Sequence, residues 1–252
     1  MTSYERNTGM VVCIIGVMVV GAVLVGAFTY FGPTTWGWFF GDDTVYYHFD
    51  NTVDNTTGSV TLDVDLTTGS VNIDFEDNIT LLYRIDLGVS NRTVQEIGAP
   101  TVTFLANTIA LDYTTSAVNV TLGSGVNYTL DITTETGAVD CDVTLGAYIG
   151  DVTITTGTGS IDFFMGNGVA VLGSPDFNFE TTTGTIDLNI VLPTGIGGSI
   201  EAAVGTGSVD IDAPGWTEIT SRHFESTDYD TASQKVTVVV ETGTGTVDAH
   251  IN

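Results

Sequence analysis

Aspartates recur at one position of a repeated phrase, and carboxylates at a regular spacing are the residues of this chain best suited to bind a cation. The phrase is glycine, serine or threonine, valine or isoleucine, then aspartate, and it is clearest at Thr155–Phe163, T-T-G-T-G-S-I-D-F. Oxygen-only ligand sets suit Ca²⁺. The predicted ligands are Asp140, Asp142, Asp162, Asp187, Asp210 and Asp212. The alternative is a solvated acidic surface, screened by salt and without a specific ion.

Residue types that support catalysis are scattered along the chain. The histidines, His48, His223 and His250, lie far apart in sequence. No nucleophile elbow or zinc-protease motif is present. The Gly-Thr-Gly runs do not form a phosphate-binding loop, since no helical pattern follows them. The enzyme alternative is a β-helix polysaccharide-active enzyme that uses aspartate-bound Ca²⁺ and a basic residue. We predict that the protein is not an enzyme and that it needs no cofactor. Ca²⁺ is the exception if the aspartates bind it.

The charge balance limits the classes of partner. The chain has 252 residues, with 5 Lys plus Arg against 31 Asp plus Glu, a formal net charge of −26. Such a surface repels nucleic acid and anionic lipid, so we predict neither as a partner. Hydrophobic residues make up 42% of the chain, and they alternate with polar ones, which favours a folded domain over disorder.

An uncharged apolar run near the N-terminus predicts a membrane anchor. Residues 10–31 carry no charge, and a spanning helix needs about 20 residues. Arg6 lies before this run, and two aspartates follow it. The positive-inside rule therefore places residues 1–9 in the cytoplasm and the C-terminal domain outside the cell. Residues 32–43 form an aromatic juxtamembrane segment. The predicted location is the cell membrane, with a single pass through it.

Residues 44–252 alternate apolar and polar positions, which predicts an all-β domain, and no stretch of them carries a convincing helical period. Residues 44–131 are less regular. In residues 132–252 the phrase repeats with spacings of 22, 25 and 23 residues between Gly137, Gly159, Gly184 and Gly207. A period of this length predicts stacked coils that bury one shared row of apolar side chains. The predicted row is Val60, Val71, Val139, Ile161, Ile186, Val209 and Val247.

The G-[ST]-[VI]-D phrases, their spacing and the late segment Phe224…Tyr229-Asp-Thr-Ala-Ser…Lys235-Val-Thr-Val resemble the putative-adhesin, toast-rack type of β-repeat domain. The resemblance covers about residues 56–252. It implies a right-handed β-helix-like solenoid in an envelope protein, behind one N-terminal transmembrane helix. It brings no catalytic residues.

Two further sets of residues are candidate sites. Residues 214–235 interrupt the repeat and form either a recognition loop or a cap on the stack. The candidate binding residues are Trp216, Arg222, His223, Phe224 and Tyr229. Five N-x-[ST] sequons are typical of an exported glycoprotein and begin at Asn55, Asn78, Asn91, Asn119 and Asn127.

These features predict a membrane-anchored cell-surface protein that acts as an adhesin-like binder or an envelope scaffold. The alternative is an envelope-stress sensing or signalling component, and a polysaccharide-active enzyme is third. The membrane is a partner through residues 10–31. A surface glycan, an envelope protein or a second copy of the chain are the other partners that the sequence allows.

Overall fold

The computed structural model describes residues 43–54, 58–144 and 146–252. The predicted cytoplasmic tail, the transmembrane segment 10–31 and the juxtamembrane segment as far as residue 42 lie outside the described residues. Within the described ranges, no helix has both the length and the apolar character needed to cross a membrane.

Strands account for most of the described chain, as the alternation predicted. Their bounds are β1 Thr44–Thr52, β2 Ser59–Glu76, β3 Leu81–Ser90, β4 Val102–Leu105, β5 Thr108–Gly123, β6 Asn127–Val143, β7 Tyr148–Met165, β8 Ala170–Val171, β9 Asp176–Ile190, β10 Gly197–Asp212, β11 Thr217–Thr220, β12 His223–Glu225 and β13 Lys235–Ile251. One helix, α1, spans Asn91–Ile97. The all-β class is confirmed.

The absence of a convincing helical period after residue 40 gave no indication of α1. Ser90 caps this helix, because its Oγ accepts a hydrogen bond from the Thr93 amide (3.1 Å). Serine at this position satisfies an amide that the first turn leaves unpaired. Arg92 and Glu96, one turn apart, form an ion pair of 2.8 Å. The helix buries none of its residues, so its sequence carries no apolar period that would reveal it.

Seven long parallel strands form the body of one sheet that does not close on itself, in the order β5-β2-β6-β7-β9-β13-β10. Each strand has a small residue near its middle, and these residues lie at one level of the sheet, which we call the glycine row. Its members are Ser116, Gly69, Gly137, Gly159, Gly184, Gly245 and Gly207. We call the part of each strand before the glycine row its first arm and the part after it its second arm.

The spatial order of the strands differs from their order in the chain. β2 lies between β5 and β6, and β13 lies between β9 and β10. The final copy of the repeat therefore does not extend the stack. It enters the stack one place before its end.

Short antiparallel strands pair with parts of the two end strands of the parallel sheet. At the β5 end, β4 pairs with the first arm and β3 with the second, and β1 pairs with β3. At the β10 end, β12 pairs with the first arm and β11 pairs with β12. Among the described strands, the second arm of β10 pairs only with β13.

The core lies along one face of both arms. The apolar row after the glycine row contains Val118, Val71, Val139, Ile161, Ile186, Val247 and Val209, in register across the seven strands. All but Val209 are buried. The prediction is confirmed for six of its seven residues as members of this row. It is wrong for Val60, which is buried in the first arm of β2 and pairs with Tyr128.

Candidate functional site

The aspartates of the repeated phrase form one exposed row on the second arms. In spatial order the row begins with two amides, Asn119 and Asn72, and continues with Asp140, Asp162, Asp187, Asp248 and Asp210. Asn72 Nδ2 donates to Asn119 Oδ1 over 2.9 Å. Adjacent strands lie about 4.8 Å apart, so the carboxylates stand at that interval along the sheet. The structure thus brings together four of the six predicted metal ligands.

The other two predicted ligands, Asp142 and Asp212, lie two residues further along their strands and far from each other. Their row runs Thr121, Asp74, Asp142, Phe164, Asn189, His250 and Asp212. Asp142 has Asp74 as its neighbour on one side and Phe164 on the other. Asp212 lies beside His250, whose Nδ1 is 2.9 Å from Asp212 Oδ2. The second row therefore contains hydroxyl, aromatic, amide and imidazole side chains among its carboxylates. Of these two rows, only the first has carboxylates on successive strands without interruption.

Desolvation and, after it, the neighbouring carboxylates make the ionised form of the aspartate row unfavourable. Although Asp140 is solvent-accessible, its pKa is raised to about 6 by desolvation, the largest cause, together with the charges of Asp162, Asp142 and Asp74. Desolvation also raises the pKa of Asp162 and of Asp187, and in each case the next aspartate of the row adds to the effect. Like charges directly opposite one another on a sheet are destabilising.

We expect the free energy of unfolding to rise as the pH falls from about 7 to about 4. The pKa of Asp140 is higher in the folded state than in an unfolded chain, so the folded state binds the proton first. Replacing Asp140 with asparagine should raise stability at pH 7 by about 1 kcal/mol, after allowing for solvent screening of an accessible group. It should also flatten the pH dependence. Urea unfolding at several pH values measures both effects.

The matched control for this prediction is Asp230→Asn, in the exposed loop before β13. It removes one carboxylate outside the row, so the pH dependence should stay as in the wild type. An equal flattening in both variants would show that overall charge, and not the row, sets the dependence.

Calcium binding by the row stays a prediction. Among the residues that the structure describes, no group of three or more His, Cys, Asp or Glu side chains converges in a geometry that could hold a metal ion. A cation that bound along the row would meet carboxylates from successive strands, one from each.

The interruption at residues 214–235 lies against the first arm of β10. β12 pairs with Ser199, Ile200 and Glu201, so the hairpin of β11 and β12 extends the sheet by two short strands. Trp216 and Phe224 are partly buried and pack against the core. This packing is a structural reason to interpret the segment as a cap, and recognition by its exposed residues stays a prediction.

The other three candidate binding residues differ in their surroundings. His223 Nε2 lies 3.2 Å from Ser199 Oγ and 3.3 Å from Glu225 Oε1, both within the hairpin and its neighbour. The Lys235 ammonium lies 4.4 Å from the centre of the Tyr229 ring, a cation–π contact. Arg222 is exposed at the turn of the hairpin.

A groove of about 530 Å³ lies beside Arg222, at the level where the first arms end. Glu180 and Glu241, paired in register on β9 and β13, contribute its acidic lining, and Val204 and Gly205 of β10 form part of its wall. Sequence reasoning missed this groove, because only the insertion of β13 between β9 and β10 places Glu241 beside Glu180.

Four of the five sequon asparagines lie in the described residues, and all four are half-buried. Two of their side-chain amides already donate hydrogen bonds: Asn78 to Glu76 (3.3 Å) and Asn91 to Asp43 (3.2 Å). Asn119 lies within β5, and Asn127 begins β6. Asn55 lies outside the described residues. Glycosylation stays a prediction.

Comparison with solved structures finds a chain with the same fold. The structure is similar to that of a putative cell adhesion protein from Clostridium sporogenes, with a TM-score of 0.63 and 15% sequence identity, over 82% of this chain and 100% of that chain. A putative adhesin from Bacteroides fragilis is a more distant match, with a TM-score of 0.33 and 8% identity, over 83% of this chain and 98% of that one. No family model and no curated protein matches the sequence.

The first likeness shows the fold. The toast-rack type of β-repeat domain that the repeated phrase resembled is thus confirmed as the architecture of the described residues. At 15% identity the likeness does not transfer a ligand or a binding residue.

Proposed function

We propose that the protein is a cell-surface binder of the adhesin type, carried outside the membrane by residues 10–31 and presenting an acidic right-handed β-solenoid. The observation that carries the proposal is the fold shared with the putative cell adhesion protein from Clostridium sporogenes along the whole length of that chain. The uncharged run 10–31, with Arg6 before it, supports the anchor and the outward orientation of the domain.

The surface of the sheet supports a binding role through extended contact. A stack of similar strands offers the same polar position many times along a long face, in place of one deep pocket. Here the aspartate row provides five carboxylates on adjacent strands. A surface with these properties suits a long partner, such as a glycan or an envelope protein.

Attachment of cells tests the proposal directly. A non-adherent host that displays the full chain should be retained on a coated surface under flow, and a host that displays only residues 1–43 should not. Protease added to intact cells should digest the domain and leave a short N-terminal fragment. Full protection of residues 44–252 would contradict the orientation, and equal retention of the two hosts would contradict the binding role.

A further inference from the structure

The second arm of β10 is an open edge of the sheet. The β11–β12 hairpin pairs with β10 only as far as Glu201, which lies opposite His223. One further hydrogen bond, 2.9 Å long, joins the Ala202 amide to the Arg222 carbonyl. From residue 203 to residue 212, no described strand pairs with β10 on the side away from β13. This edge therefore presents unpaired backbone groups to any strand that can lie beside it.

The apolar rows of the core are incomplete at the same edge. Val209 and Ile211 are only partly buried, whereas their neighbours on β13, Val247 and Ala249, are 1% and 0% exposed. A strand that pairs with β10 and has apolar residues at alternate positions would cover Val209 and Ile211. β13 covers the apolar residues of β9 in the same way.

The edge lacks two residue types that commonly prevent pairing, lysine and proline. Edge strands in soluble proteins commonly carry lysine, proline or a bulge. Residues 203–212, A-V-G-T-G-S-V-D-I-D, contain neither lysine nor proline, and their charges are Asp210 and Asp212. Asp210 is the end of the aspartate row, so its outer side meets no further carboxylate of that row. Basic side chains on an added strand would lie opposite both aspartates.

A second copy of this chain is a poor occupant of the edge. The strand at the other end of the sheet, β1, contains no lysine or arginine, and its charged residues include Asp50. Its His48 already contacts Asp86 on β3, at 2.7 Å. With a net charge of −26 on each chain, approach of two copies is also opposed by repulsion at long range.

We propose that residues 203–212 bind an extended segment of another protein by β-strand addition, and that this segment alternates apolar residues with lysine or arginine. Backbone hydrogen bonds to β10 supply affinity, and the alternate side chains supply specificity. The apolar residues cover Val209 and Ile211, and the basic residues pair with Asp210 and Asp212. The inference deepens the proposed binding role by assigning the binding surface and the chemistry of the partner.

Binding of three labelled nine-residue peptides to the full chain in detergent micelles tests the proposal at about 0.15 M salt. In the first peptide valine alternates with lysine. In the second glutamate replaces lysine. The third has the composition of the first with its valines and lysines in separate blocks. We expect the first to bind at least about tenfold more tightly than the other two. It should also slow amide hydrogen exchange in residues 203–212.

Charge reversal at the edge provides the decisive variant. Asp210→Lys with Asp212→Lys should transfer the preference from the lysine peptide to the glutamate peptide. The control, Asp65→Lys with Asp112→Lys, makes the same change of charge on the first arms of β2 and β5 and should keep the wild-type preference. Equal binding of the alternating and block peptides, or binding without protection of residues 203–212, would overturn the inference. If cells still attach through the domain in that case, the proposed function stands and only the edge is excluded.

Discussion

Replacing Gly159 with alanine is expected to leave the domain unfolded. An added Cβ would overlap the carbonyl oxygen of Gly137 on the adjacent strand, and Gly159 has a φ of +158°. The obstructing atom is backbone in the middle of a continuous sheet, so no side-chain rotation relieves the overlap. We expect a cost of several kcal/mol, comparable with the total stability of a domain. Far-ultraviolet circular dichroism and urea unfolding of the full chain measure it.

Gly58→Ala is the matched control, because an added Cβ there meets no atom within 4 Å and the backbone is not in the positive-φ region. Its stability should stay within about 0.5 kcal/mol of the wild type. Cooperative unfolding of Gly159→Ala at the wild-type urea concentration would mean that the strands do not approach as closely as the glycine row requires.

Replacing Ile161 with aspartate is expected to have the second-largest effect. Ile161 is 0% exposed and lies in register between Val139 and Ile186, in the centre of the core row. The substitution removes a packed side chain and places a carboxyl group among apolar ones with no partner to compensate its charge. A loss of more than about 4 kcal/mol is expected, which is at the high end for single substitutions.

The same substitution at an exposed isoleucine distinguishes the effect of burial on stability from the effect of the added charge. Ile219 lies in β11 and is 50% exposed, so Ile219→Asp should change the free energy of unfolding by less than about 1 kcal/mol. If Ile161→Asp were equally mild, Ile161 would not face the core, and the register across β6, β7 and β9 would be wrong.

The repeated phrase predicted the register of the second arms because each of its positions has a distinct physical role. Glycine is needed where backbones approach closely, the β-branched residue faces the core, and aspartate faces solvent. Six strands therefore align without further information. The copy in β5, Ser116-Ala-Val-Asn, was missed because it lacks the glycine. Ser116 is tolerated since it lies at the start of the row: the Cβ that would clash at each later position points toward the preceding member.

Two features could not be predicted because nothing local specifies them. The insertion of β13 between β9 and β10 depends on which neighbour best covers β9, and the phrase is almost the same in every strand. The threonines before the glycine row include a buried set, Thr134, Thr156, Thr181 and Thr242. Thr156 Oγ1 donates to Thr181 Oγ1 over 2.9 Å. From the sequence, threonine at these positions indicated only strand propensity.

The candidate site was predicted in part, because some of its residues belong to the repeated phrase. The phrase predicted the row that contains Asp140, Asp162, Asp187 and Asp210, since one position of a repeat becomes one row of a stack. It did not predict that Asp142 and Asp212 would be separated by Phe164, Asn189 and His250. These residues follow the conserved part of the phrase and vary between copies. The open edge at residues 203–212 could not be predicted from the sequence alone, because it depends on the position of β13.

The position of β13 determines when β10 can join the sheet during synthesis. The two described strands that pair with β10, β12 and β13, are both made after it. β7 and β9 can pair as they leave the ribosome, but β10 must wait for 39 further residues, from Asp212 to Ile251. At 5–20 residues per second, this wait lasts about 2 to 8 seconds. During that interval β9 also has a free edge. The nascent chain is therefore most vulnerable to mispairing or chaperone capture between the synthesis of its last two long strands.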